Sequence, residues 1–205
     1  MGRGRHAGYD GQRELIFAQA AALFARGGYP GTSMNQVAQA CGLSKATLYH
    51  YYRDKYELLV NIAEGHVTRL QGIVDEALAQ ESAPAGQLRR LIRRLVEEYA
   101  NAQDAHRVLT EDVKFLADAD RERILGKERE VVAAFAQVVA ALRPDLQQAA
   151  MSKPLTMLLF GMVNWLFTWM KPEGRLDYDA MAPVVTDLFL GGLQSVSAPA
   201  ACAAA

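Results

Sequence analysis

Apolar residues at Ile16, Ala20, Leu23 and Phe24 keep the i, i+4, i+7, i+8 spacing of an amphipathic helix, and Gly27-Gly28 with Pro30-Gly31 ends it. Thr32 or Ser33 supplies a hydroxyl to open a second helix, whose inner side is Met34, Val37, Ala38 and Cys41. Gly42 breaks that helix, Leu43 plugs the gap, and Ser44 caps a third helix after a short turn. Two short helices joined this tightly through glycine predict a helix-turn-helix. Asp54 starts a long fourth helix carrying Leu58, Leu59, Ile62, Val67 and Leu70.

Pro84 and Gly86 mark the next break, followed by a helix on Leu88, Leu91, Ile92, Leu95 and Tyr99. The pattern then predicts a short helix over Val108–Phe115 and a long one, capped by Asp118 or Asp120, through Ile124, Val131, Phe135, Val138 and Leu142 to Pro144. Two more follow, from about Asp145 to Met170 and from Asp177 to Leu193. No alternating β-branched run competes with these, so the predicted fold class is all-α, with about nine helices. A three-helix helix-turn-helix domain spans 11–71 and a larger helical body 72–194, with 1–10 and 195–205 as disordered tails.

The stretch SKATLYHYYRDK, Ser44 to Lys55, carries the candidate chemistry. At 100° per residue its four consecutive rings, Tyr49, His50, Tyr51 and Tyr52, cannot all enter one core. Leu48 and Tyr52 share the inner side. Ala46, Thr47, Tyr49 and His50 take the opposite arc, with Lys45 and Tyr51 at its edges. A small residue, a hydroxyl, a phenol and an imidazole on an exposed helix fit a DNA major groove, where Ala or a Thr methyl meets thymine and polar groups meet bases or phosphates. Ser33 and Lys55 would bracket this helix where the phosphate backbones run. The plain alternative is a packing element with its tyrosine hydroxyls in water.

Charge sharpens this picture. The formal net charge of -1 divides into eight Lys/Arg against five Asp/Glu in residues 1–71, a net of +3, and a net of -4 in the remainder. A basic amino-terminal part on an acidic body is consistent with a polyanion partner for the first segment only. The two cysteines, Cys41 and Cys202, give neither a disulfide framework nor metal spacing. The first residues lack the apolar core of a signal peptide, and the 16-residue run Leu155–Met170 is shorter than the roughly 20 residues of a membrane span. These features predict a cytoplasmic protein without a membrane association.

From Arg13 to Leu59 the sequence also resembles the DNA-binding domain of the tetracycline-repressor (TetR) family. The shared features are an LF pair ending helix one, G-x-x-x-T-S, and G-L-S-K-x-T-L-Y-x-Y. The resemblance implies that Ser33 and Lys55 meet phosphate and that Lys45, Ala46, Thr47, Tyr49 and His50 face the groove. Ala46 and Tyr52 stand where many members have Gly and Phe, so the added hydroxyl of Tyr52 needs a partner. The resemblance further implies a homodimer on a pseudo-palindromic double-stranded operator and a small-molecule effector, bound by the body, that releases a repressor from DNA. The last two helices are the expected dimer interface, because MLLFGMVNWLFTWM is apolar on nearly every side. An effector bound in the body would change the separation of the two recognition helices through the long helix from Asp54.

For the effector pocket the candidates are Phe115, Phe135, Phe160, Asn164, Trp165, Thr168 and Trp169, aromatic walls with a few polar fixing points. Core packing and hydrogen bonds between helices account for the same residues. The segment NWLFTWMKPEGRLDYDAMAPVVTDLFLGGL is similar to members of the family that answer to acyl-CoA thioesters, and Arg89, Arg90, Arg93, Arg94, Lys127 and Arg129 are numerous enough to serve a CoA phosphate. No catalytic motif is present: His6, His50, His66 and His106 form no H-E-x-x-H, and no serine lies in G-x-S-x-G. Asp104, His106, Glu111 and Asp112 can be assembled into a metal site only on paper. Neither a metal nor a cofactor is expected.

Overall fold

The computed structural model describes residues 3–170 and 176–198, with side chains from Tyr9 onward, Phe167 apart. Ten α-helices and one 3-10 turn, with no strand, make up the described residues. They are α1 (Arg3–Gly31), α2 (Met34–Ala40), α3 (Lys45–Tyr51), α4 (Lys55–Ala79), α5 (Pro84–Asn101), α6 (Gln103–Asp112), the 3-10 turn (Val113–Phe115), α7 (Asp118–Leu142), α8 (Pro144–Gln148), α9 (Ser152–Trp169) and α10 (Tyr178–Ser195).

The chain packs as two units. The first holds residues up to Thr68 together with Ala102–Leu125, and the second holds Arg69–Asn101 with everything from Gly126. Sequence periodicity assigns 102–125 to the carboxy-terminal body, whereas packing groups it with the helix-turn-helix. The reason is apolar burial: Ala105, Val108, Leu109, Leu116 and Ile124 enter the same core as Ile16, Phe24, Leu48, Leu59 and Val67. Such a long-range pairing of α6 with α1 leaves no local sequence signal.

Local chemistry sets the ends of the first helices. Gly28 interrupts α1 at φ 73°, ψ 152°, a region that essentially only glycine occupies. Ser33 caps α2 in a reciprocal box with Gln36. At the other end of α2, Gly42 (φ 65°) closes a Schellman turn in which its N–H donates to Gln39 and that of Leu43 donates to Ala38. The Ser44 hydroxyl accepts from the Thr47 N–H at 3.0 Å and caps α3. Asp54 does the same for α4, accepting from Glu57 at 2.8 Å, and that bond lowers its pKa.

The second unit is built on Leu88, Leu91, Ile92, Leu95, Val96 and Tyr99 of α5, which meet Val131, Phe135 and Val138 of α7, Leu159 and Val163 of α9, and Val185 and Phe189 of α10. Arg143 binds Asp145 through two nitrogens, at 2.8 and 2.6 Å, and donates to the carbonyls of Leu193 and Val196 at the end of α10. Two sequence expectations change here. The single helix from Asp145 to Met170 is two, α8 and α9, because Ala150 turns the chain with φ 55°. Residues 3–10, expected as a tail, are the first turns of α1, while the tail beyond residue 198 lies outside the described residues.

Candidate nucleic-acid interface

The cap at Ser44 fixes the rotation of α3, and burial then sorts its side chains. Leu48 is fully buried and Tyr52 is 3% exposed, while Lys45, Ala46, Tyr49 and His50 are exposed and Thr47 and Tyr51 half-buried. Tyr49, at 44% exposure, carries Lys45 Nζ 5.9 Å from its ring centroid. Lysine, alanine, tyrosine and histidine thus form one continuous outward row over two turns. The Thr47 hydroxyl lies 2.7 Å from that of Ser44, so it adds a methyl and a shared proton to the row rather than an independent donor.

The inward tyrosine finds its partner. Arg13 of α1 stands over the Tyr52 ring at 5.3 Å, and its hydrogen bond to Tyr52 raises the guanidinium pKa. Tyr51 has a different duty from the one its sequence position implies. Its ring stacks on Tyr9 of α1 with centroids 4.8 Å apart and planes at 27°. This contact takes one face of Tyr51 away from any groove.

The flanking residues differ from expectation. Ser33 is exposed, but its hydroxyl caps α2 and donates to Gln36 Oε1 at 2.8 Å. Lys55 departs further. Its ammonium donates to the carbonyls of Tyr29 and Thr32, both at 2.8 Å, and to that of Pro30 at 3.4 Å, and lies 4.4 Å from the Tyr29 ring centroid. All three of its protons are directed at the α1–α2 turn, whose carbonyls no helical N–H can reach. Lys55 therefore ties α4 to that turn instead of standing open to phosphate. Arg53, which helical periodicity does not single out, is the exposed cation beside α3: its side chain is 80% exposed, and its Nε donates to Asp54 at 3.2 Å.

Behind this surface α6 and α7 brace the unit. The Tyr29 N–H donates to Asp112 Oδ2 at 3.2 Å, the Tyr56 hydroxyl donates to Asp120 at 2.7 Å, and that hydroxyl accepts from the Ala117 N–H at 2.9 Å. Burial raises the Asp112 pKa. His66 and His106 bury their rings with Nε2 and Nδ1 3.2 Å apart, and burial pushes His106 down to about 4. His106 is a core residue rather than a metal ligand, and no group of three His, Cys, Asp or Glu fit to hold a metal occurs among the described residues.

The seven effector-pocket candidates do not converge. Phe115 belongs to the first unit, where it lies 5.6 Å from the Tyr29 ring. Phe135 and Phe160 are buried core rings in edge contact at 5.0 Å. Asn164 is half-buried, with its Oδ1 buried and lacking a hydrogen-bond partner among the described residues. Trp165 and Trp169 are 66% and 51% exposed, and Thr168, also exposed, bonds the Trp165 carbonyl at 2.7 Å. Apolar packing absorbs Phe135 and Phe160, and the outward face of α9 takes the tryptophans. A cleft of about 370 Å³ in the second unit is lined by other residues, including Arg89, Leu142, Arg143, Asp187 and Leu190. No helix among the described residues is long and apolar enough to cross a membrane.

Comparison with known proteins agrees with this arrangement. Residues 16–62 match the family described as bacterial regulatory proteins, tetR family, and residues 81–193 match the tetracyclin repressor-like C-terminal domain. A TetR-family transcriptional regulator from Bordetella parapertussis has a solved structure that superposes with a TM-score of 0.83 at 34% identity, covering 91% of this chain and 98% of that one. The transcriptional repressor KstR2 of Rhodococcus jostii is 24% identical over 195 residues, 92% of this chain and 94% of its own. The structure of AibR in complex with isovaleryl coenzyme A and operator DNA shares the fold, with a TM-score of 0.75 at 23% identity, covering 86% of this chain and 97% of that one. These matches, with a helix-turn-helix that presents its third helix outward, place the chain in the TetR family of DNA-binding transcriptional regulators, which are not enzymes.

Proposed function

We propose that the protein is a homodimeric repressor, bound to a pseudo-palindromic operator and released from it by an acyl-CoA or aryl-CoA thioester. The observation that carries the DNA reading is the sorting of α3: Lys45, Ala46, Tyr49 and His50 outward, Leu48 and Tyr52 inward. Lys45 and Arg53 are the cations for phosphate, and Tyr49, His50, Ala46 and the Thr47 methyl are the groups for base edges. Ser33 joins them through whatever hydrogen bonding its cap leaves open. Two protomers are needed because one short helix reads too few bases, and twofold symmetry doubles the contact set.

Dimerisation is supported by the outer faces of α9 and α10, where Met157, Leu158, Trp165, Trp169, Val184 and Leu188 are 51 to 66% exposed. Large apolar side chains gathered on two neighbouring helices in sequence favour a partner surface. The effector class is supported by AibR, a protein of the same fold solved with isovaleryl coenzyme A, and by the arginine-rich outer side of α5. The ligand works only through unequal affinity for the DNA-binding and non-binding dimers.

The test starts from a duplex selected by the full-length protein out of a random pool. Gel-shift titration of that duplex with acyl-CoA thioesters of graded chain length is expected to release it at micromolar thioester, while free coenzyme A leaves it bound. Release by none of them removes the effector class, and failure to enrich any duplex removes the DNA reading.

A further inference from the structure

Three helix ends meet around the cleft in the second unit. Ala85 and Arg89 come from the start of α5, Leu142 and Arg143 from the end of α7, and the rest of the lining, including Asp187, from the last turns of α10. Its volume of about 370 Å³ is at the low end for a small-molecule site. None of the seven effector-pocket candidates lines it. The α7 and α10 contributions include three leucines, Leu142, Leu190 and Leu193, which give the cleft a hydrocarbon wall. Its polar groups are unequally available. Arg143 commits its donors to Asp145 and to the carbonyls of Leu193 and Val196, so it fastens α10 and has little left for a ligand. Arg89 donates from Nη1 to Asp187 Oδ1 at 2.8 Å, and its side chain is 56% exposed. A guanidinium carries five N–H donors in a planar fork, so the groups that Asp187 leaves unused can bind a second carboxylate. Ala85 precedes Arg89 by four residues on the same face of α5, and it is the second residue of that helix, where the macrodipole is positive. α7 and α10 bring carboxy-terminal ends of the opposite sign, but Arg143 answers the carbonyls of α10. The unused donors are therefore concentrated at α5, and the hydrocarbon on α7 and α10.

We propose that this cleft binds a small monocarboxylic acid with a compact hydrocarbon body, its carboxylate on Arg89 at the start of α5 and its hydrocarbon along Leu142, Leu190 and Leu193. A coenzyme A thioester is several times larger than such an acid and does not fit the cleft. The acid is thus a second ligand, independent of the thioester and of DNA. Asp187 keeps its bond to Arg89 when the acid is bound, and its own charge weakens the binding, because two carboxylates on one guanidinium repel each other.

Equilibrium dialysis of radiolabelled octanoate against the full-length protein, without DNA, reads the site directly. Wild type should bind it saturably with a Kd of about 0.1 to 1 mM, in keeping with a ligand of about ten non-hydrogen atoms. Arg89→Met should weaken binding at least about tenfold, and Asp187→Asn should tighten it by roughly twofold to fivefold. Ala85→Phe fills the cleft and should abolish binding. All three positions are exposed, so the variants should keep the wild-type helicity in circular dichroism. Octanol, with the same chain and no charge, should bind at least about tenfold more weakly than octanoate. No saturable binding at millimolar octanoate overturns the ligand class, and wild-type affinity in Arg89→Met or Ala85→Phe overturns the site. Equal affinity for octanol overturns the role of the carboxylate, and weaker binding in Asp187→Asn overturns the shared guanidinium. None of these outcomes touches operator binding, which the gel shift reads separately.

Discussion

Replacing Lys55 by Met separates a structural lysine from a phosphate ligand. The substitution keeps most of the aliphatic stem and removes an ammonium that donates to two carbonyls at 2.8 Å and a third at 3.4 Å. A net hydrogen bond to a charged group contributes about 1.5 to 3 kcal/mol. Lys55 is half-buried, so water reaches the freed carbonyls and the loss is nearer one such bond than three, about 2 kcal/mol. The cation held 4.4 Å from the Tyr29 ring adds about 0.5 to 1 kcal/mol. The expected destabilisation is about 2 to 3 kcal/mol, read as a urea midpoint lowered by roughly 1 M in far-ultraviolet circular dichroism. In parallel, the salt slope of DNA binding is measured under conditions where the variant is folded. An ammonium occupied by carbonyls leaves that slope unchanged, whereas one that binds phosphate in each protomer lowers it by about 1.8. A stability within about 0.5 kcal/mol of wild type together with a shallower slope would refute the structural assignment.

Leu48→Ala should cost about 2 to 5 kcal/mol in chemical denaturation, since the side chain is fully buried; Tyr49→Ala should leave stability within about 0.5 kcal/mol and weaken specific binding in gel shift. Gly28→Ala should destabilise by about 1 to 3 kcal/mol, because φ 73° with ψ 152° strains any residue with a Cβ, although the site itself has room for one. His106 is neutral in the fold down to about pH 4, while the unfolded chain takes its proton near pH 6.5. The unfolded state therefore binds more protons between those values, and stability falls as pH drops, by up to about 1.4 kcal/mol per unit. Denaturation at stepped pH should show this slope flattened in His106→Leu, and an identical slope in the variant assigns it elsewhere. Leu188→Glu, on the outer face of α10, should halve the solution mass in light scattering and abolish operator binding while keeping helicity.

The helix-turn-helix is legible in sequence because its signals are local. Ser44 caps α3 three residues from its donor, the Thr47 N–H, Gly42 sits where a positive φ is needed, and Leu48 and Tyr52 fall on one side by helical period alone. The partners of Lys55 are not legible for the opposite reason: the carbonyls that hold it come 23 to 26 residues earlier, and nothing at its own position distinguishes them from a phosphate. In the body, apolar rings give no sign of which way they face. Phe135 and Phe160 turn inward and Trp165 outward along helices that are apolar almost all round. Phe115 goes to the other unit altogether, through contacts between α1 and α6 that only the folded chain brings together.

The stretch from Ala102 to Leu125 has a practical consequence for anyone who wants to transplant this regulator's target preference. A fragment cut after the fourth helix would carry the reading surface yet leave the sockets for Val108, Leu109 and Ile124 bare, and with them Tyr29 and Tyr56 stripped of Asp112 and Asp120. Hybrid regulators built from this protein need the joint moved so that α6 and the opening of α7 travel with the amino-terminal residues; otherwise the graft delivers a sticky, half-finished module rather than a portable one.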